Sequence, residues 1–254
     1  TWQAPNIAQA GGDPERLLRA HQENKGLLLA EIQRRTGQTL NPEVLLIGFA
    51  RRAATYKRGD LIFRNREAIL PLLENDRIQL VFSGKAHPQD EGGKNMVANI
   101  VTLARQFPGK VVFLENYDMR LGQILTRGCD VWLNNPQRPL EASGTSGMKA
   151  GMNGVLNFST LDGWWVEGCA HGKNGWQFGD GYTGPDQDSH DLHALYRVLT
   201  EEILPTYELD KAKWVMMMRA SIQTCTEQFS ARRMVEDYYD RLYLPLVAAE
   251  RKIS

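Results

Sequence analysis

The sequence lacks the features that mark secreted, membrane-spanning or nucleic-acid-binding chains. It has only three cysteines among 254 residues, and Cys129, Cys169 and Cys225 form neither a C-x-x-C pair nor a zinc-ligand spacing. This cysteine usage favours a reducing compartment, so we expect a cytoplasmic protein. No apolar run approaches the ~18 residues that a membrane-spanning helix needs, and no segment resembles a signal peptide. Thirty basic side chains balance thirty acidic ones, so bulk charge predicts neither a nucleic-acid nor a membrane partner.

What is present is the composition of an ordinary globular chain. Hydrophobic residues make up 42% and charged residues 24% of the sequence, far from the composition of disordered proteins. The length suits one large α/β domain or two smaller ones. Because the chain begins at Thr1 and not at a methionine, we expect it to be a piece of a longer protein.

The order of apolar runs and helical patterns predicts a Rossmann-like, doubly wound parallel α/β sheet with extra C-terminal helices. Residues 1–12 are interpreted as a linker, and Asp13-Pro14 as the start of a helix that ends near Gly37. The predicted strands are 44–50, 79–82, 111–114 and 131–133, and the helices between them are 66–75, 92–106 and 119–127. Further helices are predicted at 190–203, 208–225 and 230–248, with breaks near Pro205 and Ser230.

A polar loop follows each of the four predicted strands. These loops are 51–58, 83–88, 115–118 and 134–149. In open parallel sheets ligands bind beyond the carboxyl ends of the strands, so we expect all four loops at one edge. The first loop carries Arg51, Arg52, Lys57 and Arg58, and Arg52 and Lys57 could clamp a phosphate. Four cations at one strand end of a charge-neutral protein favour an anionic ligand over a solvated basic turn.

The fourth loop leads into a short helix, which the sequence predicts to open at Met148. The small and hydroxyl residues 143–147 leave backbone N–H groups exposed before a helix N-terminus, an arrangement that binds anions. Lys149 adds an amine that can pair with a phosphate or condense with an aldehyde. Taken alone, this segment fits a plain capping loop with a surface lysine equally well.

Several of these segments, in the same order, resemble the α-glucan phosphorylases that act on glycogen, starch and maltodextrin. The matching segments are FARRAATYKR at 49–58, GKAHP at 84–88, FLENY at 113–117 and EASGTSGMK at 141–149, followed by Asn153-Gly154 and Asp162-Gly163. The EASGT…MK motif is highly specific, and the DGWWVEG segment looks most like the shorter microbial branch. The likeness runs from about residue 44 to about residue 180. It covers only the C-terminal, cofactor-holding half of such an enzyme, one of two Rossmann-type domains in a GT-B-like arrangement.

The resemblance implies a pyridoxal 5′-phosphate cofactor and gives roles to single positions. The expected catalytic residues are Lys149, which matches the lysine that forms a Schiff base with the cofactor, and Arg52 and Lys57, which match a phosphate-binding pair. The residues expected around the cofactor are Lys149, Thr145, Ser146, Tyr117, Lys57 and Arg51. The residues expected around the glucosyl unit and substrate phosphate are Glu141, Ser143, Gly144 and Arg52. Three features depart from the family pattern: Arg51 for a lysine, Asp118 for an arginine, and Ser146-Gly147 for a Gly-Asn pair. No metal site is expected.

The implied reaction is reversible phosphorolysis of terminal α-1,4-glucosidic bonds by inorganic phosphate, giving α-D-glucose 1-phosphate. Residues 1–254 would form one C-terminal cofactor-binding domain, with a linker and helix at 1–40. A tail helix at 225–254 could pack on a missing N-terminal domain. That domain would supply the acceptor glucan and further active-site groups, so the chain alone is expected to have little or no activity. A homo-oligomer is a further possible assembly.

Other classes of protein share parts of this pattern. Residues 146–149 also form the S-x-x-K string of serine β-lactam enzymes, but the SDN and KTG partner motifs do not occur in the sequence. A GT-B nucleotide-sugar glycosyltransferase, like glycogen or starch synthase, would share the sheet, the basic loop and Glu141 without needing Lys149 to bind an aldehyde. A non-enzymatic half that folds and turns over nothing is a third alternative. Asp188 and Asp191, next to two histidines, are interpreted as helix capping and not as a metal site.

Overall fold

Six short strands form one sheet in which every neighbouring pair is parallel. The strands are β1 (Leu45–Ala50), β2 (Ile78–Ser83), β3 (Val111–Leu114), β4 (Val131–Asn134), β5 (Leu156–Thr160) and β6 (Gly175–Phe178). Their order across the sheet is β3-β2-β1-β4-β5-β6. The computed structural model describes residues 2–246. The predicted doubly wound parallel fold is confirmed, and the strand order reverses between β1 and β4, the switch point at which such sheets bind ligands.

Eleven helices are defined within residues 2–246. They are α1 (Pro5–Ala10), α2 (Pro14–Thr36), α3 (Arg66–Glu74), α4 (Glu91–Gln106), α5 (Met119–Gly128), α6 (Thr145–Gly151), α7 (Trp165–Gly168), α8 (Gln187–Val198), α9 (Leu204–Leu209), α10 (Lys211–Glu227) and α11 (Ala231–Tyr238). Short 3₁₀ turns at Thr55–Lys57 and Leu61–Phe63 and wider π-type turns at Leu199–Ile203 and Tyr239–Tyr243 complete the helical segments. None of the helices described is long and apolar enough to cross a bilayer.

Strands β1 to β4 are mostly apolar because helices cover both faces of the sheet. Alternate residues of β1 point to opposite faces, as the pleat requires. Leu45 and Ile47 join a core that includes residues of α3, α4, α8 and α10. Leu46 and Ala50 join a second core with residues of α2, α5 and α6. Buried polar side chains near the ends of β4 and β5, such as Asn134 and Ser159, lie at the candidate site.

Several predicted boundaries are confirmed and the reasons are local. Helix α2 begins at Pro14 because the Asp13 side chain accepts hydrogen bonds from the next two free backbone N–H groups. It ends before Gly37, whose φ of 71° is left-handed. The strands predicted after it match β1 to β4 within one residue. Ser230 caps α11, as the predicted break there requires.

Other expectations are wrong. Residues 5–10 are not a linker, because α1 packs on α2 and buries Ile7 and Ala10. The helical chain does not break at Pro205, which lies in the first turn of α9, where a missing N–H costs no hydrogen bond. The break lies at Asp210, which caps α10. Strands β5 and β6 were not predicted, and the end of the predicted tail helix, beyond residue 246, lies outside the described residues.

Candidate functional site

The cations of the loop after β1 point in three different directions. Arg51 and Lys57 are buried and turn toward the carboxyl edge of the sheet, Arg52 is exposed, and Arg58 is buried elsewhere. Arg51 is a bend residue directly after β1, so the chain has left the strand where the two arginines diverge. Lys57 and Arg58 diverge because Arg58 has a left-handed backbone, with φ 46°. The structure therefore places Lys57 beside Arg51 and leaves Arg52 exposed, and the predicted binding of a phosphate by Arg52 and Lys57 stays a prediction.

Arg51 and Lys57 both donate to one carboxylate oxygen of Glu141. Arg51 Nη2 lies 2.5 Å and Lys57 Nζ 2.7 Å from Glu141 Oε2. The three side chains are at most 11% exposed, so these charge-assisted hydrogen bonds are well screened from water. Burial lowers the pKa of Arg51, and the charge of Glu141 opposes that shift. Two cations and one carboxylate leave the cluster with a net positive charge, which suits an anionic ligand.

The loops after β4 and β5 hold Glu141 in place. Its backbone N–H donates to Asp162 Oδ2 at 2.8 Å. The Trp164 N–H donates to the carbonyl of Ser143 at 2.9 Å. Gly144 has φ 81°, a left-handed conformation that a residue with a side chain rarely adopts, and it turns the chain into α6. These contacts set Glu141, Ser143 and Gly144 beside the cations, although Glu141 is 90 residues from Arg51 in sequence.

A narrow cleft adjoins the cluster at the carboxyl ends of β4 and β5. Its lining residues are Arg51, Asn134, Pro136, Glu141, Ser143, Gly144, Ser159, Asp162 and Trp164. The free volume is about 10 Å³. Carboxylates, hydroxyls and amides dominate this lining, so the cleft can accept hydrogen bonds from a hydroxylated ligand.

Lys149 lies one turn into α6, which begins at Thr145 and not at Met148 as predicted. The Lys149 amine lies 3.7 Å from the centre of the Trp2 ring, and burial lowers its pKa. Because α6 has only seven residues and its Gly147 N–H already bonds to a loop carbonyl, the positive charge at this edge comes mainly from Arg51 and Lys57. Lys149 contributes a half-buried amine against the Trp2 ring and not a helix dipole.

Four other residues discussed from the sequence have the following environments. Ser146 Oγ accepts a hydrogen bond from Trp132 Nε1, whereas Thr145 is exposed. Burial raises the pKa of Tyr117, and the charge of Arg51 acts against that shift. Asp118 caps α5 by accepting from Leu121 N, so it is used structurally. Within residues 2–246 no group of three His, Cys, Asp or Glu side chains could hold a metal ion.

Three features of the site were missed by sequence reasoning. Trp2 reaches Lys149 through tertiary contacts, with its carbonyl held by Arg127 Nε and by Asn153 Nδ2. Asp162 anchors Glu141, and its only sequence signal was the Asp-Gly pair that it begins. Arg58, the third feature, links the loops through long-range hydrogen bonds and ion pairs. No short sequence pattern predicts contacts between residues so far apart in the chain.

Arg58 joins the loop after β1 to the loop after β4 and to α8. Its Nε donates to the Asn135 carbonyl at 2.8 Å and its Nη2 to the Pro136 carbonyl at 2.9 Å. The same guanidinium pairs with Asp191 at 2.7 Å and with Asp188 at 2.8 Å. The two aspartates, interpreted from sequence as helix caps, instead hold the cation that fixes the walls of the site.

The structure is a Rossmann-type parallel sheet with a buried Arg–Lys–Glu cluster at its switch point. The chain belongs to the carbohydrate phosphorylase family, whose sequence model matches residues 7–184. The resemblance to α-glucan phosphorylases is thereby confirmed.

Curated relatives agree with this membership. The chain is 46% identical over 216 residues to maltodextrin phosphorylase of Thermococcus litoralis, covering 82% of this chain and 26% of that protein. It is 45% identical over 233 residues to glycogen phosphorylase of Aquifex aeolicus, covering 88% and 33%. It is 43% identical over 226 residues to glycogen phosphorylase of Mycobacterium bovis, covering 84% and 26%. The chain therefore spans about a quarter to a third of the length of these relatives.

Proposed function

We propose that this chain is the cofactor-binding part of an α-glucan phosphorylase. The enzyme would use inorganic phosphate to cleave terminal α-1,4-glucosidic bonds and release α-D-glucose 1-phosphate. The observation that supports this most directly is the convergence of Arg51 and Lys57 on Glu141 at the switch point. The same loop that carries Glu141 leads through Gly144 into the helix of Lys149. Chain connectivity thus links the cation cluster and the adjoining cleft to the helix that carries the Lys149 amine, which supports the proposal.

The residues present fit pyridoxal 5′-phosphate. The lowered pKa of Lys149 leaves a larger fraction of its amine neutral, which is the form that condenses with an aldehyde. Trp2 gives that amine an aromatic neighbour. Arg51 Nε and Nη1 are buried and have no partner within residues 2–246, so they are available to phosphate oxygens. We propose Lys149 as the attachment point, with Arg51, Lys57, Tyr117, Thr145 and Ser146 around the cofactor.

The proposed mechanism depends on charge. The bound cofactor would supply a phosphate group that holds and passes a proton beside the substrate phosphate. Two unit charges 4 Å apart repel by roughly 4 kcal/mol at an effective dielectric constant of 20. Arg51 and Lys57, together with Arg52 if it turns inward when substrate binds, would offset that repulsion and stabilise charge in the transition state. Glu141, Ser143 and Gly144 would orient the hydroxyl groups of the glucosyl unit.

The partners follow from the reaction. We propose an α-1,4-glucan, inorganic phosphate and glucose 1-phosphate as substrates and products. Because the relatives are much longer than this chain, we propose that groups outside it complete the glucan site. The 254-residue chain alone should then release little or no glucose 1-phosphate from maltodextrin, and robust release by the purified chain would contradict this. The three free thiols fit the proposed cytoplasmic location.

Reductive labelling tests the cofactor site directly. The purified chain is incubated with pyridoxal phosphate, reduced with borohydride, digested and mapped by mass spectrometry. We expect one dominant adduct, on Lys149. Lys149→Ala should lose it, and Lys173→Ala, a matched change at an exposed lysine, should keep it. Labelling spread over surface lysines and unchanged in Lys149→Ala would refute the proposal, and affinity for a nucleotide sugar in that protein would favour a glycosyltransferase instead.

A further inference from the structure

Glu141 neutralises part of the cation cluster that the proposed function assigns to phosphate. Both cations reach the same oxygen, Oε2, at 2.5 and 2.7 Å. A phosphate that binds Arg51 and Lys57 must therefore either replace this carboxylate or lie against it. Like charges at such a distance in a poorly hydrated site repel by several kcal/mol, so replacement is favoured. The cluster in this arrangement already holds an internal anion.

The cleft beside the cluster is closed in the same arrangement. Its free volume of about 10 Å³ is at or below the ~10–15 Å³ that a single water molecule needs. A ligand can enter only if a lining side chain moves. Glu141 is the side chain shared by the cleft and the cluster. Its backbone is held separately by Asp162, so the carboxylate can turn without unfolding the loop.

Some buried polar groups beside Glu141 have no hydrogen-bond partner among residues 2–246 in the closed arrangement. Arg51 is 8% exposed, and two of its buried N–H groups have no partner in the described part of the chain. Asn134 Oδ1, in the lining of the cleft, is also buried without a partner among residues 2–246. An unpaired buried polar group costs about 1–3 kcal/mol. The donors suit an anion, and the amide oxygen suits a hydroxyl group.

We propose that Glu141 is an internal counter-ion that an incoming phosphate displaces, and that the freed carboxylate then accepts hydrogen bonds from a polyhydroxylated ligand in the adjoining cleft. This inference rests on the proposed function and explains how its two substrates are coupled. Without phosphate, the carboxylate is occupied by Arg51 and Lys57 and the hydroxyl site is closed. With phosphate, the same carboxylate is released. Coupling of this kind is reciprocal, so the hydroxylated ligand also strengthens phosphate binding.

Calorimetric titration of inorganic phosphate at constant ionic strength tests the counter-ion. Glu141→Gln keeps the side-chain shape and removes its charge, so we expect it to bind phosphate at least about tenfold more tightly than the unmodified chain. Glu167→Gln, an equal charge change at an exposed position of α7, should stay within about twofold. Equal or weaker phosphate binding by Glu141→Gln overturns the inference. Thermal unfolding of each variant checks that it is folded.

A second measurement needs no mutation. The affinity of the unmodified chain for D-glucose, used as a polyhydroxylated probe, is compared with and without saturating phosphate. We expect phosphate to strengthen glucose binding at least about fivefold, and unchanged affinity overturns the coupling. Repeating both titrations after reductive attachment of pyridoxal phosphate identifies the displacing phosphate. If free phosphate still strengthens glucose binding after the attachment, the displacing group is free phosphate. If this strengthening disappears, the displacing group is the phosphate of the cofactor.

The outcomes also separate this inference from the proposed function. If Lys149 is labelled and phosphate binds, but Glu141→Gln binds phosphate no more tightly, only the internal counter-ion is wrong. If phosphate binds to neither protein and Lys149 is not labelled, both proposals fail.

Discussion

Arg58 is expected to contribute more to stability than any exposed charged pair of this protein. Arg58 and Asp191 are each only 2% exposed, and their side chains lie 2.7 Å apart. Replacing Arg58 by methionine keeps much of the apolar stem but removes the charge. Asp191 is then buried without its counter-ion, and the carbonyls of Asn135 and Pro136 lose a charged donor.

The magnitude follows from burial. Breaking a buried ion pair by removing one partner costs about 3–5 kcal/mol, because an uncompensated charge remains. Asp188 is 44% exposed, so its share of the loss is below about 1 kcal/mol. Burial already raises the pKa of Asp191 against the effect of Arg58, so the carboxyl can take up a proton in the variant and limit the loss. We therefore expect a loss of about 3–5 kcal/mol, or roughly 6–20 °C in Tm for a chain of this length.

Urea and thermal unfolding of Arg58→Met measure this loss, and Arg77→Met is the matched control. Arg77 pairs with Glu208 at 2.6 Å, but both side chains are about a third exposed. Such a pair contributes less than about 1 kcal/mol. Replacing Asp191 by leucine in the Arg58→Met background should recover stability, because an apolar pair leaves no buried charge. If Arg58→Met loses no more stability than Arg77→Met, the reasoning about this ion network is refuted.

Two further perturbations test the opposite edge of the sheet and the amine. Burial alone would raise the pKa of Asp130, but the charge of Lys25 and a hydrogen bond from His21 lower it to about 2. The ionised Asp130 should stabilise the fold by about 2–3 kcal/mol above pH 4, and this stabilisation should be lost between about pH 4 and pH 2. Asp130→Asn should remove that part of the pH dependence of urea unfolding. An unchanged acid profile would contradict this. Trp2→Ala should expose Lys149, raise its pKa toward the ordinary lysine value, and shift the pH midpoint of pyridoxal phosphate labelling upward. A midpoint that stays in place would show that Trp2 does not shield the amine.

The elements that sequence reasoning identified are those whose signals are local. Helix α2 carries its own cap at Asp13 and its own stop at Gly37, and β1 to β4 are short apolar runs bounded by polar residues. Strands β5 and β6 escaped because polar residues such as Asn157, Ser159 and Gln177 interrupt them, which removes the apolar signature of a buried strand. Helix α1 escaped because six residues are too few to show a helical period.

The candidate site also has parts that the sequence predicted and parts that it did not. That the cations and Glu141 would lie on one edge followed from strand order alone. Which of two adjacent arginines contacts Glu141 depends on how the chain leaves β1, and the sequence did not specify that it would be Arg51. The ion pairs of Arg58 join residues 130 and 133 positions apart. No pattern within a short window can specify contacts at such a separation.

The assignment of one ligand to these groups rests finally on the direction of the strands. Lys57 follows β1 and Lys149 follows β4, and these strands are neighbours that run parallel at the switch point. Had β4 run antiparallel to β1, the loop with Lys149 would have emerged at the opposite edge, separated from Lys57 by the length of a strand, roughly 13–20 Å for four to six residues. Parallel pairing instead brings the cation cluster and the loop that leads to the amine to the same edge. The proposed ligand, which carries both an aldehyde and a phosphate, requires this arrangement.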